Sequence, residues 1–124
     1  MKILLASSEV HPYSKSGGLA DMVGALAKFL ARSGHQVGLV TPLYRGVLER
    51  FPEIEPFDWN LDVPMGNGRA QARVWARHFG GTGQLSIYFI DHKAFFDRAG
   101  LYGEKGMDYP DNAERFIFFT KCVV

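Results

Sequence analysis

The sequence has few of the features that would place a protein outside the cell, in a membrane or on a nucleic acid. It contains one cysteine, Cys122, so an internal disulfide and a cysteine metal cluster are both excluded. Its apolar start, residues 3–6, ends at Ser7, Ser8 and Glu9, before a secretory signal could form. No apolar run approaches the roughly 18 residues that span a bilayer, and a net charge of +1 provides no strong attraction to nucleic acid. We predict a cytoplasmic protein without membrane or nucleic-acid partners.

The composition is that of a globular domain. Hydrophobic residues make up 47% and charged residues 22% of the 124 residues, which excludes a disordered chain. This length is sufficient for one domain with one hydrophobic core. No linker or internal repeat divides the sequence, so we expect a single folded unit.

The first forty residues have the pattern of a strand–helix–strand unit. Short apolar runs over residues 2–7 and 36–41 are typical of strands that are buried on both faces of a parallel sheet. Between them, apolar residues at helical spacing predict a helix that ends at Gly34: Leu19, Met22, Val23, Leu26 and Leu30. This order predicts a βαβ unit.

The rest of the chain predicts an antiparallel hairpin, one more strand and two helices. Residues 57–65 and 70–76 alternate between apolar and polar on both sides of a Gly-Asn-Gly turn, and a second turn over residues 80–83 precedes a strand-like run, 85–90. A short helix is predicted from Asp91 to about Arg98, followed by a glycine-rich loop over residues 100–106. Asp111 or Asn112 is expected to cap the last helix. The predicted fold is therefore α/β, with a mainly parallel sheet and an antiparallel β-hairpin.

The last helix is apolar on several of its faces. It contains Phe116, Ile117, Phe118, Phe119, Cys122, Val123 and Val124 and has no glycine, proline or charged residue to end it. We expect that the surface it packs against lies partly outside this chain, so that the domain is incomplete at its C-terminus. Either a deep groove covers this helix, or the isolated chain self-associates through it.

The segment between the first strand and the first helix has the chemistry of a phosphate site. In open α/β sheets, ligands bind at the carboxyl ends of the strands, and a helix N-terminus offers unpaired N–H groups to an anion. Lys15 adds a positive charge, and Gly17 and Gly18 allow the backbone to approach a ligand. The order of these residues matches neither a Walker loop nor the G-x-G-x-x-G fingerprint. Spacing alone also fits a structural strand-to-helix turn with a solvent-exposed lysine.

The order of the residues resembles the glycogen and starch synthases that use ADP-glucose. Residues 7–22 read S-S-E-V-x-P-x-S-K-S-G-G-L-A-D-M, where the signature of that family has K-T-G-G-L-A-D, so serine replaces a threonine. Residues 95–103, F-F-D-R-x-G-L-Y-G, and the stretch that begins Y-P-D-N at Tyr109 resemble the same family, whose members often have glycine at the Pro110 position. The three motifs occur in the family's order and cover nearly the whole chain.

The resemblance implies the Rossmann-like N-terminal lobe of a two-lobed GT-B fold. Such enzymes transfer glucose from ADP-glucose to the non-reducing end of an α-1,4-glucan with retention of configuration, and they use no metal and no cofactor. The resemblance gives Lys15 a contact with the donor phosphates, includes Gly17 and Gly18 in the same cradle, and places Asp21 on the donor side or in an orienting role. No catalytic residue is assigned within the chain. The second lobe, which holds the nucleotide base and ribose, is not in the chain, so we expect these 124 residues alone to be inactive.

Three further residues are weaker candidates for sugar or glucan contacts. Glu9 follows the first strand and is expected either to bind a sugar hydroxyl or to cap the loop. Phe96 occupies a position where some family members have tyrosine, and it is expected to pack in the core or to stack on glucan. Asn112 is expected to cap its helix, to contact glucose, or both.

Two other functional classes stay open at the level of the sequence. One is a different GT-B sugar-nucleotide glycosyltransferase, such as a sucrose synthase or a trehalose-forming relative. The other is a nucleotide-binding domain without enzymatic activity.

Overall fold

The structure is a computed structural model that describes residues 1–81 and 83–124. It contains a five-stranded sheet, a small two-stranded sheet and four helices, in the chain order β1 (Lys2–Ala6), α1 (Gly18–Arg32), β2 (Gln36–Pro42), α2 (Val47–Arg50), β3 (Glu55–Met65), β4 (Gly68–Phe79), β5 (Gln84–Asp91), α3 (Lys93–Phe96), β6 (Gly103–Glu104), β7 (Met107–Asp108) and α4 (Asn112–Val123). The expected α/β class is confirmed. None of the helices in the described ranges is long and apolar enough to span a membrane.

The large sheet has a parallel half and an antiparallel half. Its strand order is β1-β2-β5-β4-β3. Strands β1, β2 and β5 pair in parallel, whereas β4 pairs antiparallel with both β5 and β3. Because the carboxyl ends of parallel strands meet at one edge, the loops that follow β1, β2 and β5 lie at the same edge of the sheet.

Helix α1 packs on β2 and β5 through small side chains. The sequence predicted the helix and its end correctly, since Gly34 follows it with a positive φ of 94°. The buried residues are Ala20, Val23, Gly24, Ala27 and Ala31. Of the large apolar residues that indicated the helix, Leu19, Met22 and Leu26 are exposed. Close contact with the sheet selects the small residues, and a hydrophobic pattern alone does not identify that face.

The hairpin of β3 and β4 is confirmed and contains an irregularity that the alternation does not show. Phe57 pairs with Val74, but Asn60 pairs with Arg73, so Asp58 and Trp59 form a bulge in β3. A bulge breaks the period-two alternation of faces. Trp59 is consequently 59% exposed, although it continues the apolar series of the sequence.

Several boundaries differ from the sequence predictions. Strand β5 includes Asp91, and α3 is confined to Lys93–Phe96 because His92 caps it by accepting a hydrogen bond from the Phe95 amide. The predicted glycine-rich loop over residues 100–106 contains part of the β6–β7 hairpin, whose turn has positive φ values at Lys105 and Gly106. Helix α2 was not predicted. The predicted turn over residues 80–83 includes Thr82, which lies outside the described residues.

Helix α4 packs on β3 and β2. Its side chains Phe118 and Phe119 are buried, and Lys121 Nζ donates to the Pro64 carbonyl oxygen at 2.7 Å. Ile117 is 51% exposed. The sheet of this chain therefore covers the central phenylalanines of α4, and self-association through the rest of the helix stays a prediction.

Candidate functional site

The loop between β1 and α1 is folded against the start of the helix. The amides of Tyr13 and Ser14 donate to the Val10 carbonyl oxygen at 2.9 Å, which forms a tight turn. The His11 amide donates to the Ala20 carbonyl oxygen at 3.1 Å and ties that turn to α1. The loop thus lies at the carboxyl edge of the parallel strands with its last residues at the N-terminus of α1, as the βαβ pattern predicts.

Lys15 and Asp21 form an ion pair at the surface. Lys15 Nζ lies 2.6 Å from Asp21 Oδ2, and His11 Nδ1 lies 3.7 Å from Asp21 Oδ1. The side chains of Lys15 and Asp21 are 48% and 49% exposed, and exposed ion pairs contribute only about 0–1 kcal/mol. An anion that offers a second acceptor can therefore recruit the Lys15 ammonium group at little cost.

The N-terminus of α1 is open. Gly17 is the N-cap residue, and no side chain caps the helix there, so the N–H groups of the first turn have no partner inside the helix. A Cβ atom added to either Gly17 or Gly18 would meet no atom within 4 Å. Gly17 has a φ of −165°, an extended conformation that any residue adopts. The fold itself therefore requires glycine at neither position.

Glu9 binds the loop through hydrogen bonds on its buried side. Its side chain is buried, and its carboxylate accepts hydrogen bonds from Ser16 Oγ at 2.6 Å, the Gly17 amide at 3.1 Å and the Ser16 amide at 3.3 Å. Of the two roles open to Glu9, these contacts match the capping of the loop, and a sugar contact stays a prediction. Because Glu9 occupies the Gly17 N–H group, the N–H groups that remain for an anion begin at Gly18.

Tyr102 completes this arrangement and was missed by sequence reasoning. Its hydroxyl group donates to Glu9 Oε2 at 2.6 Å and lies 2.7 Å from Ser8 Oγ. A phenol has a single proton, so Ser8 is the donor in the second contact. The two partners lie 93 positions apart in the sequence. The only available signal was that Tyr102 belongs to the F-F-D-R-x-G-L-Y-G motif.

The protonation state of Glu9 links this network to pH. Burial raises the pKa of the Glu9 carboxyl, but hydrogen bonds from Ser16, Tyr102 and Gly17 outweigh burial, and the net pKa is below its usual value. A lowered folded-state pKa contributes stability above the unfolded-state pKa of about 4.3, and this contribution is lost as the pH falls through the lower folded-state value.

We therefore expect Glu9→Gln to flatten the loss of stability in acid. The free energy of urea unfolding should fall less between about pH 6 and pH 3 in the variant than in the parent protein, as measured by circular dichroism. Glu49→Gln changes an exposed carboxyl and is the matched control. If the Glu9→Gln and parent profiles run parallel, Glu9 does not titrate as the network implies.

The remaining sequence candidates lie in the adjoining core and have structural partners. Phe96 is fully buried and packs edge-on against Tyr44, with ring centroids 5.9 Å apart, so it presents no face to a glucan. Asn112 Nδ2 donates to the Tyr102 carbonyl oxygen at 2.8 Å, and its Oδ1 accepts from Arg115. Asn112 therefore connects the Tyr102 segment to α4 and does not cap the helix.

The capping prediction for Asp111 was wrong in its chemistry. Asp111 occupies the N-cap position of α4, but its side chain makes no capping hydrogen bond. Its carboxylate instead accepts two hydrogen bonds from Arg98, at 2.6 and 2.7 Å. These hydrogen bonds from Arg98 hold the pKa of the Asp111 carboxyl below its usual value. A bidentate guanidinium pair is stronger than one neutral backbone donor.

The described residues bring Lys15, Gly17, Gly18 and Asp21 together on the exposed side of the loop, with Glu9 behind them. They contain no group of three or more His, Cys, Asp or Glu side chains that could hold a metal ion. The arrangement offers one ammonium group and the first-turn N–H groups of α1 to a ligand, and both are suited to a phosphate.

The chain is similar to known proteins over nearly all of its length. The family model described as the starch synthase catalytic domain matches residues 2–124. A glycogen synthase of Syntrophotalea carbinolica is 45% identical over 121 residues, which are 98% of this chain and 24% of that protein. A glycogen synthase of Opitutus terrae is 46% identical over 125 residues, which are 100% of this chain and 26% of that protein.

A solved structure has the same fold. The catalytic domain of starch synthase IV from Arabidopsis thaliana, bound to ADP and acarbose, matches with a TM-score of 0.75 at 28% identity. The match covers 98% of this chain and 24% of that chain. The chain thus spans about a quarter of the length of the relatives it matches.

Proposed function

Because the chain belongs to the family of the starch synthase catalytic domain, we propose that it supplies the donor-phosphate half of the active site in a glycogen or starch synthase. The donor is ADP-glucose, and the acceptor is the non-reducing end of an α-1,4-glucan, to which glucose is transferred with retention. A second lobe of the GT-B fold, outside these residues, holds the nucleotide base and ribose. The enzyme acts in the cytoplasm.

The observation that carries this proposal is the open space at Gly17 and Gly18. The fold leaves room for a Cβ atom at both positions, so the glycines are not explained by packing within the chain. They stand at an uncapped helix N-terminus beside an exposed lysine. A diphosphate that approaches this backbone accounts for all three features.

From the ion pair between Lys15 and Asp21 we infer how the donor binds. In the free protein Asp21 occupies the Lys15 ammonium group at 2.6 Å. When a diphosphate binds, Lys15 contacts a phosphate oxygen while Asp21 keeps the lysine side chain oriented toward the site. The leaving ADP gains negative charge in the transition state, so a fixed ammonium group and helix N–H groups stabilise that state more than the ground state.

The relatives support the choice of ligands. The Syntrophotalea and Opitutus proteins are glycogen synthases, and the Arabidopsis domain was bound to ADP and acarbose. ADP is the product that remains after glucose leaves ADP-glucose. These names describe the complete relatives. We extend the ligands to this chain because 98% of it matches the Syntrophotalea protein.

The proposal is tested in a chimera. Residues 1–124 replace the matching segment of the Syntrophotalea carbinolica glycogen synthase, and glucose transfer to glycogen is measured with ADP-glucose, UDP-glucose and a GDP-sugar as donors. We expect transfer with ADP-glucose as the preferred donor. A folded chimera without any transfer, or with another preferred donor, contradicts the proposed function.

The Gly18→Ala variant is expected to change the affinity for ADP without lowering the stability of the fold. We expect the variant chain to unfold at the same temperature or slightly higher, because alanine in a helix is favoured over glycine by about 1 kcal/mol. In the chimera, the added methyl group should weaken ADP binding roughly tenfold, because it fills the space that a phosphate needs and removes the close backbone approach. Calorimetric titration with ADP measures the effect. Leu26→Ala, on the exposed side of α1, should leave ADP binding unchanged.

A further inference from the structure

A cavity of about 370 Å³ lies between the second half of α1 and the sheet. One wall is α1, at Gly24, Ala27 and Ala31, and the facing wall is formed by β2 and β5, including Leu39 and Ile87. The cavity has the size of a small-molecule site, which typically measures about 300–1,000 Å³. It is separate from the first turn of α1, where the donor site was assigned.

The cavity exists because α1 presents small side chains to the sheet. Ala27 and Ala31 are buried, but a methyl group cannot fill the distance between a helix axis and the side chains of a strand. Gly24 cannot be enlarged, since a Cβ atom there would lie 3.0 Å from the His11 carbonyl oxygen. At the far end, a Cβ atom on Gly83 would collide with the carbonyl oxygens of Ala31 and His35, so Gly83 packs directly on the end of α1.

Several basic side chains line this apolar cavity. Lys28, Arg32, Arg77 and His11 line it, and no carboxylate does so among the described residues; the Asp21 carboxylate lies outside the lining, 3.7 Å from His11. Arg77 is held in place by two weak contacts: its Cζ atom lies 4.6 Å from the centre of the Phe79 ring, and its Nη1 lies 3.4 Å from the Tyr13 hydroxyl group. In the described part of the chain Arg77 forms no salt bridge.

From this combination we propose that the cavity binds a small amphiphilic anion, with an aromatic or alkyl body and a single acidic head group. The body lies between Ala27, Ala31, Leu39 and Ile87, where it displaces water from apolar surface. The head group pairs with the planar guanidinium group of Arg77, which binds carboxylate, sulfonate or phosphate oxygens through two parallel N–H groups. Lys28 and Arg32 add positive potential at the mouth.

The charge pattern argues against the other occupants of an apolar cavity. A neutral hydrophobic ligand would not explain why the described lining contains Lys28, Arg32 and Arg77 but no carboxylate. A helix or strand of a partner protein is too large for a cavity of this volume. The cavity takes no residue from the Lys15–Gly18 segment, and its one link to the donor site among the described contacts is His11, 3.7 Å from Asp21. The probe titrations require no transferase activity, so they test the cavity separately from the proposed transferase function.

Two fluorescent probes with the same aromatic body separate the contribution of the acidic head group to binding from that of the apolar cavity walls. 8-Anilinonaphthalene-1-sulfonate carries a sulfonate, and N-phenyl-1-naphthylamine carries no charge. In titrations of the 124-residue chain we expect the sulfonate probe to bind about tenfold more tightly than the neutral probe, the effect of one charge-assisted contact. Two-dimensional amide NMR should place the largest shifts at residues 27–31 and 85–87.

Three variants identify the site. Arg77→Met keeps the apolar stem and should weaken the sulfonate probe about tenfold while leaving the neutral probe unchanged. Ala31→Leu fills the cavity and should weaken both probes. Arg73→Met, an exposed arginine on the same strand that does not line the cavity, is the matched control and should change neither.

Equal affinities for the two probes, an unchanged sulfonate affinity in Arg77→Met, or amide shifts confined to exposed Leu19, Met22 and Phe29 would each overturn the proposal, because they describe adsorption to the outer face of α1. If Ala31→Leu does not fold, as judged by circular dichroism, the Arg77→Met comparison and the shift map decide the question.

Discussion

We expect Lys15→Ala to lower kcat/KM of the chimeric synthase by about 30- to 1000-fold, which corresponds to the loss of one transition-state contact worth roughly 2–4 kcal/mol. The loss falls mainly on kcat, because the negative charge on the departing ADP is larger in the transition state than in bound ADP-glucose. Removing the ammonium group also takes from the Asp21 carboxylate its partner at 2.6 Å, next to the proposed phosphate site. Repulsion between this carboxylate and the phosphates adds to the effect. Steady-state kinetics with ADP-glucose and glycogen measure it.

The matched controls for Lys15 are another lysine and its own partner. Lys2→Ala removes an exposed lysine on β1 and should leave the kinetics unchanged. Asp21→Asn keeps the shape of the partner and should have a smaller effect than Lys15→Ala, because the ammonium group stays. Folding is not expected to suffer, since the Lys15–Asp21 pair is exposed and contributes about 0–1 kcal/mol. An unchanged kcat/KM in Lys15→Ala removes this residue from the mechanism.

We expect Arg115→Ala to lower the free energy of unfolding by about 3–5 kcal/mol, the range for removing a large buried side chain and leaving its polar partners unpaired. Arg115 is fully buried in α4. Its guanidinium group donates to the carbonyl oxygens of Phe95 at 2.6 Å and Leu101 at 3.0 Å, and to Asn112 Oδ1 at 2.8 Å. Thus one side chain joins α3, the segment before β6 and the start of α4.

Three aromatic rings also contact the guanidinium group of Arg115. The guanidinium carbon lies 4.9, 5.2 and 5.6 Å from the ring centres of Tyr109, Phe116 and Phe96. Cation–π contacts at desolvated sites contribute about 2 kcal/mol or more, and here they partly replace the carboxylate partner that a buried arginine usually has. Burial lowers the pKa of the Arg115 guanidinium, but arginine stays charged throughout the pH range of unfolding experiments.

Two further variants separate packing from hydrogen bonding at Arg115. Arg115→Met keeps most of the volume and should recover the packing part of the loss, so it should be less destabilising than Arg115→Ala. Arg45→Ala breaks an exposed pair with Asp97 and should cost no more than about 1 kcal/mol. Chemical unfolding of the purified chain measures all three. An Arg115→Ala variant as stable as Arg45→Ala would show that the arginine is dispensable for the fold.

The Lys15 and Arg115 predictions concern the same region of the molecule. Asn112 joins Arg115 to the Tyr102 carbonyl oxygen, and the Tyr102 hydroxyl group joins Glu9 and the loop that carries Lys15. The core beneath α4 is therefore connected by direct hydrogen bonds to the loop that we assign to the donor phosphates.

Local patterns predicted most of the architecture. The apolar runs identified β1, β2 and β5, helical spacing with Gly34 identified α1, and alternation about a Gly-Asn-Gly turn identified the β3–β4 hairpin. Each of these features depends on neighbours within a few residues, so the sequence displays it directly. The α2 helix and the β6–β7 hairpin were not predicted, because they are too short to show a repeating hydrophobic pattern.

The location of the candidate site was also predictable in part. A loop with a lysine and two glycines between a buried strand and a helix can only lie at the carboxyl edge of a parallel sheet, and the motif order supplied the family. Spacing did not show that Lys15 is paired with Asp21, nor that the Gly17 N–H group is already occupied by Glu9.

The sequence by itself thus determined the α/β elements, the position of the Lys15–Gly18 loop and the family to which the chain belongs, because these depend on local periodicity and residue order. Only the tertiary structure decided that Glu9 supports the loop through Tyr102, that Phe96 faces the core, that Asp111 binds Arg98, and that α1 turns its small side chains inward and leaves a basic-rimmed cavity. The physical reason is that each of these outcomes depends on atoms brought together from distant parts of the chain. Burial and hydrogen-bond competition between such atoms are decided only when the chain has folded.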